Sequence, residues 1–225
     1  MNIYVYWNRN DNDCTKIFHF MSPHDEYSIV DYLVQEHDLN INRVYKVFDD
    51  NTEIMENIQR NDLILFLTHG TEEQILKYRN SPERDLNEFV LIDRQNANIL
   101  KDKIVLAFCC SSAMVLGRYC VSPEVGCKAY IGFEKDIVYD NGTAAGASTR
   151  HLIYKSYKIA FMKSLRYAAR TKCSIEEYRV KLVQYMRKEA VDAIMQSKNH
   201  SLNTMYSGTI EGVVALGKTD EPLFK

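Results

Sequence analysis

Two short apolar runs constrain this chain of 225 residues more than any other feature, LILFL at 63–67 and IVLAF at 104–108. A strand without polar alternation is typical of a parallel sheet that is covered on both faces. Both runs are far shorter than the ~20 apolar residues that a membrane helix needs. Helical patterns alternate with the strand patterns, so the sequence predicts an α/β fold with a mainly parallel β-sheet flanked by helices.

Other segments extend this alternation along the chain. The two apolar strands are predicted at 63–68 and 104–110, and further strands at 3–7, 44–48, 89–92, 128–133 and 212–216, with 16–20 pairing beside the first. Helices are predicted at 27–37, 51–60, 111–120, 143–170 and 175–197. Ser174 and Glu177 form the capping box that starts the last helix. We expect one domain over 1–225, with a generic α/β part at 1–61 and the motif-bearing part at 62–217.

The charge balance and the N-terminus exclude several classes of protein. The chain has 28 Lys and Arg against 30 Asp and Glu, a net charge of −2, which argues against binding nucleic acid by bulk charge. No signal peptide pattern begins the sequence, so we expect a cytoplasmic protein without membrane association. In a reducing compartment the 6 cysteines are expected to be thiols rather than disulfides.

Reactive residues follow the two apolar strands. His69 and Gly70 come directly after the first strand, and Cys109 and Cys110 end the second. Functional groups of parallel sheets gather at the carboxyl ends of strands, so neighbouring strands would bring His69 beside a cysteine. An imidazole next to a thiol favours the thiolate nucleophile and can protonate a leaving amine. The alternative to catalysis is that the histidine has a structural role and that the cysteine only packs in the core.

These motifs resemble caspase-like (clan CD) cysteine peptidases. The runs LFLTHG at 65–70, IVLAFCCSS at 104–112, AYIGF at 129–133 and VVALG at 213–217 are similar to the CHAT branch, which includes relatives of separase. The order also fits, since caspases carry the His roughly 50 residues before the Cys. The resemblance implies a cysteine endopeptidase with a Cys-His dyad, in which His69 is the acid–base residue and the N–H groups of Gly70 and Cys110 form the oxyanion hole.

Two adjacent cysteines compete for the role of nucleophile. In the family a small or polar turn follows the cysteine, which fits Cys110 better than Cys109. Because neighbours in a strand point to opposite faces, only one of the pair can face His69. We predict that Cys110 is the nucleophile and that Cys109 belongs to the core.

The substrate preference is left open by the sequence. Some relatives carry an acidic residue two positions before the cysteine, and Phe108 stands there in this chain. The loop after the third strand, where the family builds its S1 wall, offers Glu134, Asp136 and Asp140 as candidates for binding a Lys or Arg side chain. A solvated acidic loop is the alternative for each.

The resemblance further implies a protein substrate and an activating or regulatory protein partner, in a multi-component system of the bacterial defence or cell-death type. We expect no cofactor and no metal. The Cys109, Cys110, Cys120 and Cys127 set lacks the C-x2–4-C spacing of zinc sites. The alternative function is a caspase-like interaction module with a weak or silent active site.

Overall fold

A mainly parallel sheet of six strands forms the centre of the computed structural model, which describes residues 1–8, 11–44, 51–77, 90–138 and 147–224. The nine strands described are β1 (Asn2–Trp7), β2 (Asn40–Val44), β3 (Leu63–Leu67), β4 (His69–Gly70), β5 (Ile75–Leu76), β6 (Val90–Ile92), β7 (Ile104–Phe108), β8 (Ala129–Phe133) and β9 (Val213–Gly217). The main sheet has the order β2-β1-β3-β7-β8-β9, and β9 alone is antiparallel to its neighbour. Strands β4, β5 and β6 make a small antiparallel sheet.

Helices cover both faces of the main sheet. They are α1 (Asn12–Phe18), α2 (Asn51–Arg60), the single turn α3 (Arg118–Cys120), α4 (Ala147–Thr171), α5 (Ile175–Ser197) and α6 (Leu202–Glu211). Alternate residues of the central strands point to the two faces, so that Leu65 and Leu106 pack with α1, α4, α5 and α6. Their neighbours Ile64 and Val105 pack on the other face of the sheet, against α2, against α3 and against the residues just before α3. The mixed α/β class and the mainly parallel sheet are confirmed.

Several predicted elements are confirmed with small shifts at their ends. Helix α2 spans the predicted residues, and β3, β7 and β8 lie within the predicted strands. The capping box of α5 is present, because the Ser174 hydroxyl accepts from the Glu177 N–H at 3.2 Å and the Glu177 carboxylate accepts from the Ser174 N–H at 2.9 Å. Residues 139–146 lie outside the described part, and α4 confirms the predicted helix from Ala147 onward.

The strand predicted at 16–20 is wrong, because α1 and a short helical turn occupy this region. The physical reason is a helix cap before it: the Asp11 carboxylate accepts from the Cys14 N–H at 3.1 Å. Cys14, Ile17 and Phe18 then follow helical spacing, and all three are buried.

The edge strand and one helix also differ from the predictions. Strand β2 (Asn40–Val44) begins earlier than the predicted 44–48, whose remaining residues lie outside the described part. In the segment predicted as a helix at 27–37, a helical turn at Tyr32–Glu36 is present. Helix α6 was not predicted. Within the described residues, none of the helices has the length and apolar character required to cross a lipid bilayer.

The strand order fixes where a site can form. The chain runs from β1 to β2 on one side and then crosses to β3 on the other side of β1. Such a reversal leaves a crevice at the carboxyl ends of the strands on either side of it. Trp7 pairs with Leu67, and Leu67 pairs with Phe108, so the ends of β1, β3 and β7 lie level with one another.

Candidate active site

His69 is the first residue of β4, two residues after the carboxyl end of β3, and its ring contacts residues that follow β1. Its Nε2 lies 3.2 Å from the Asp11 Oδ2 and 3.5 Å from the Cys14 Sγ. The side chains of His69 and Asp11 are only 11% and 20% exposed, which strengthens a charge interaction between them. An imidazole that donates its Nε2 proton to a carboxylate is fixed in its orientation and its tautomer.

Asp11 is itself held by the start of α1. Its second carboxylate oxygen, Oδ1, caps the helix by accepting from the Cys14 N–H at 3.1 Å. Its backbone N–H donates to the Asn8 side-chain oxygen at 3.2 Å, and the Asn8 amide donates to the Lys77 carbonyl at 2.8 Å. The carboxylate therefore reaches His69 with one oxygen while the other stays fixed to the helix.

The two adjacent cysteines have opposite surroundings. Cys109 is fully buried, and its thiol donates to the Phe66 carbonyl over 3.8 Å. Burial raises the pKa of Cys109 far above its ordinary value, which disfavours a thiolate. Cys110 is half-buried on the opposite face of the sheet, and its Sγ accepts from the Ile137 N–H at 3.4 Å. Cys110 is thus partly open to solvent, whereas Cys109 is closed off from it.

Gly70 brings the stretch after β3 against the stretch after β7. A Cβ atom placed on Gly70 would lie 2.8 Å from the Cys109 Cβ and 2.8 Å from the Cys110 carbonyl oxygen. Both contacts are too close for any side chain, so glycine is required for this approach. The two predicted oxyanion donors, Gly70 and Cys110, thus belong to segments in direct contact.

A tight turn and a loop enclose Cys110. Ser111 has a φ of 51°, in the left-handed region, which reverses the chain directly after Cys110. Its N–H donates to the Lys135 carbonyl at 3.2 Å, and its hydroxyl donates to the Asp136 carboxylate at 2.7 Å. Thr209 on α6 holds the same loop, since its hydroxyl donates to the Asp136 carbonyl at 3.0 Å and accepts from the Val138 N–H at 3.1 Å.

The predicted S1 residues lie in different places. Phe108 is fully buried and stacks on Phe161 at 4.3 Å between ring centroids, so its side chain fills the core. Glu134 forms an ion pair with Arg118. Asp136 is exposed and bonded to Ser111, next to Cys110. Asp140 lies outside the described residues.

Asp11 and Cys14 were missed by the sequence interpretation. They follow the first strand, and the missing step was the inference that β1 neighbours β3 in a parallel sheet. Among the described residues, Asp11, Cys14 and His69 form a group whose ligand atoms all lie within 4.8 Å of one another. Within the described part of the chain, this is the only group of three or more such side chains close enough together to hold a metal ion.

Comparison with family models and with curated proteins finds no match for this chain. The likeness of its motifs to caspase-like peptidases therefore stays a prediction from the sequence. The contact of His69 with Asp11 and the position of Cys110 after the neighbouring strand support the chemistry that follows.

Proposed function

We propose that the protein is a cysteine endopeptidase in which Cys110 is the nucleophile and His69 the acid–base residue. One observation carries the proposal: His69 and Cys110 follow adjacent parallel strands that are in register at Leu67 and Phe108, and Gly70 packs against the Cys110 carbonyl. His69 contacts Cys14, which packs on the same face of the sheet as Cys110, whereas Cys109 packs on the other face, and this favours Cys110 over Cys109.

The proposed mechanism assigns the two ring nitrogens of His69 to different tasks. Nε2 donates to Asp11, so Nδ1 is the nitrogen that takes the proton of the Cys110 thiol. The thiolate attacks the peptide carbonyl, and the N–H groups of Gly70 and Cys110 bind the resulting oxyanion. His69 then protonates the leaving amine, and water hydrolyses the thioester to release the acid. Asp11 is a positioning residue, which stabilises the imidazolium between these steps.

For the substrate we propose a protein with a Lys or Arg before the cleaved bond. Asp136 supports this choice, because its exposed carboxylate is bonded to the residue after Cys110. An activating protein partner and a role in regulated defence or cell death complete the proposal, and the motif resemblance is the support for both.

Thiol reactivity tests the proposed nucleophile without knowledge of the substrate. Iodoacetamide at neutral pH should alkylate Cys110 at least about 10-fold faster than Cys173, as measured by peptide mapping. Burial raises the pKa of Cys173 and raises that of Cys120 to about 12, so both are slow internal standards. His69→Ala should remove the preference, and equal rates for Cys110 and Cys173 would contradict the proposal.

Cleavage of a peptide library then tests the activity. Cys110→Ala should abolish cleavage and Cys109→Ala should retain it, provided that both variants keep the wild-type circular dichroism spectrum. Loss in Cys109→Ala alone would transfer the nucleophile to that residue. A folded protein with neither cleavage nor a fast thiol would instead fit a silent interaction module.

A further inference from the structure

Asp11, Cys14 and His69 bring three different ligand types to one point. They supply a carboxylate oxygen, a thiol sulfur and an imidazole nitrogen from two elements, the start of α1 and the start of β4. Zinc accepts all three ligand types, whereas Mg²⁺ and Ca²⁺ prefer oxygen ligands alone. Among the common divalent cations that have no redox chemistry, the donor set therefore favours zinc.

The spacing of the donor atoms fits a tetrahedral ion. Zinc bonds of about 2.0–2.1 Å to nitrogen, 2.3 Å to sulfur and 2.0–2.2 Å to oxygen place N···S about 3.5 Å apart and N···O about 3.4 Å apart at the tetrahedral angle. In the structure the His69 Nε2 lies 3.5 Å from the Cys14 Sγ and 3.2 Å from the Asp11 Oδ2. An ion could thus take up its bonds with little movement of these ligands.

The surroundings of the cluster also suit an ion that keeps one open position. Cys14 is buried, with 5% of its surface exposed, while the Asp11 side chain is 20% exposed and gives access from solvent. The bond from the Cys14 N–H to the Asp11 Oδ1 holds the carboxylate so that Oδ2 faces the other donors. Outer contacts of this kind orient ligands and support metal affinity.

We propose that Asp11 Oδ2, Cys14 Sγ and His69 Nε2 form a binding site for one Zn²⁺ ion, with water as the fourth ligand. Zinc at this site takes the nitrogen of His69 that otherwise donates to Asp11. This consequence rests on the proposed function: with zinc on Nε2, the Nδ1 of His69 keeps its own proton and cannot accept that of Cys110, so the bound ion inhibits the peptidase.

The test measures metal binding directly in the absence of substrate. Co²⁺ serves as the spectroscopic probe and Zn²⁺ competition gives the affinity, both measured in the wild-type chain and in Cys110→Ala, which lacks the proposed nucleophile. We expect one ion per chain and a thiolate-to-cobalt absorption band. Cys14→Ser should lose the band and weaken zinc binding by at least about 100-fold, whereas Cys173→Ser, a change at another buried cysteine, should change neither.

A second variant gives a test of the site that does not depend on whether Cys14→Ser folds. Asp11→Asn keeps a residue that caps helices well but removes the anionic ligand, so it should weaken zinc binding by about 10-fold or more with an unchanged circular dichroism spectrum. Unchanged affinity in both variants overturns the site, and so does a band that needs Cys110 instead of Cys14. Because no outcome here depends on proteolysis, failure of the metal site and failure of the proposed peptidase are distinguishable.

Discussion

The two sides of the candidate site are held in different ways. On the histidine side, the contacts are made by side chains: the Asp11 carboxylate and the Cys14 sulfur contact the His69 ring. On the cysteine side, the contacts involve the main chain: the Ile137 N–H donates to the Cys110 sulfur, and the Ser111 N–H donates to the Lys135 carbonyl.

This difference predicts how each side responds to substitution. A contact made by a side chain disappears when that side chain is replaced, whereas a contact made by a backbone N–H survives most replacements. We therefore expect the histidine side to be sensitive to single changes of chemistry. The cysteine side should instead respond to changes that move the chain, at Gly70 or at Thr209.

Among changes of a contacting side chain, the largest effect is expected from Asp11→Asn on the histidine side. Loss of the carboxylate should lower kcat/KM about 100-fold or more and change its pH profile, because the imidazolium loses its partner. Ser111→Ala, the matched change on the cysteine side, removes the bond to Asp136 but keeps the backbone contacts. It should cost less than about 10-fold in kcat/KM. Equal losses in the two variants would remove the distinction between the sides.

Gly70→Ala tests the contact between the two sides. The added Cβ collides with Cys109 and with the Cys110 carbonyl, so the free energy of unfolding should fall by about 3 kcal/mol and the activity should be lost. Gly208→Ala is the control, because a Cβ at that position meets nothing within 4 Å. Its free energy of unfolding in urea should stay equal or rise, and a similar loss in both variants would argue against the close contact.

Thr209→Val tests the support of the loop on the cysteine side. Thr209 is fully buried, and its hydroxyl bonds both the Asp136 carbonyl and the Val138 N–H. Its loss leaves these groups unpaired and should cost about 2 kcal/mol in urea denaturation, with a raised KM. Thr209→Ser retains the hydroxyl and should recover most of the stability. A stable Thr209→Val variant would show that other contacts hold the loop.

The smallest effect is expected at Asp25, which bonds to the Tyr27 N–H, His19 and Lys158 and has no part in the proposed chemistry. Burial raises its pKa, but the Tyr27 N–H, His19 and Lys158 together lower it by more, so the folded pKa lies below the ordinary value. The carboxylate then stabilises the fold above about pH 4, and this contribution is lost as the pH falls through the folded pKa.

Asp25→Asn should accordingly lower the free energy of unfolding by about 1 kcal/mol at pH 7 and flatten its dependence on pH below about 4. Urea denaturation at several pH values measures both quantities. Activity per folded molecule should stay unchanged, which separates stability from chemistry. An unchanged slope in the variant would contradict the role of this carboxylate.

The centre of the sheet could be predicted from the sequence because its strands are apolar without interruption. β3 and β7 needed no further information, and the residues that end them pointed to the same edge. The segment at 16–20 could not be predicted in this way, because its apolar residues fit both a strand and a helix. The cap from Asp11 to Cys14 decides between them, and it was not recognised.

The histidine partner required topology rather than local pattern. Asp11 and His69 are far apart in the chain and meet because β1 pairs with β3. Strands are easier to predict from a sequence than their order in the sheet. The residue that lies beside the end of a strand is therefore harder to predict than the strand itself. Phe108 shows the same limit, since its position before Cys110 suggested a binding role, while the alternation of the strand directs its ring into the core.

The placement of β1 between β2 and β3 has a consequence for the time at which the site forms. Asp11, His69 and Cys110 come from three separated parts of the chain and meet through strand pairings that close long loops. Such pairings have a high entropic cost and set the pace of folding. We therefore expect the thiol to remain without its base while the polypeptide is being synthesised, so that a partly made chain is inert toward its neighbours.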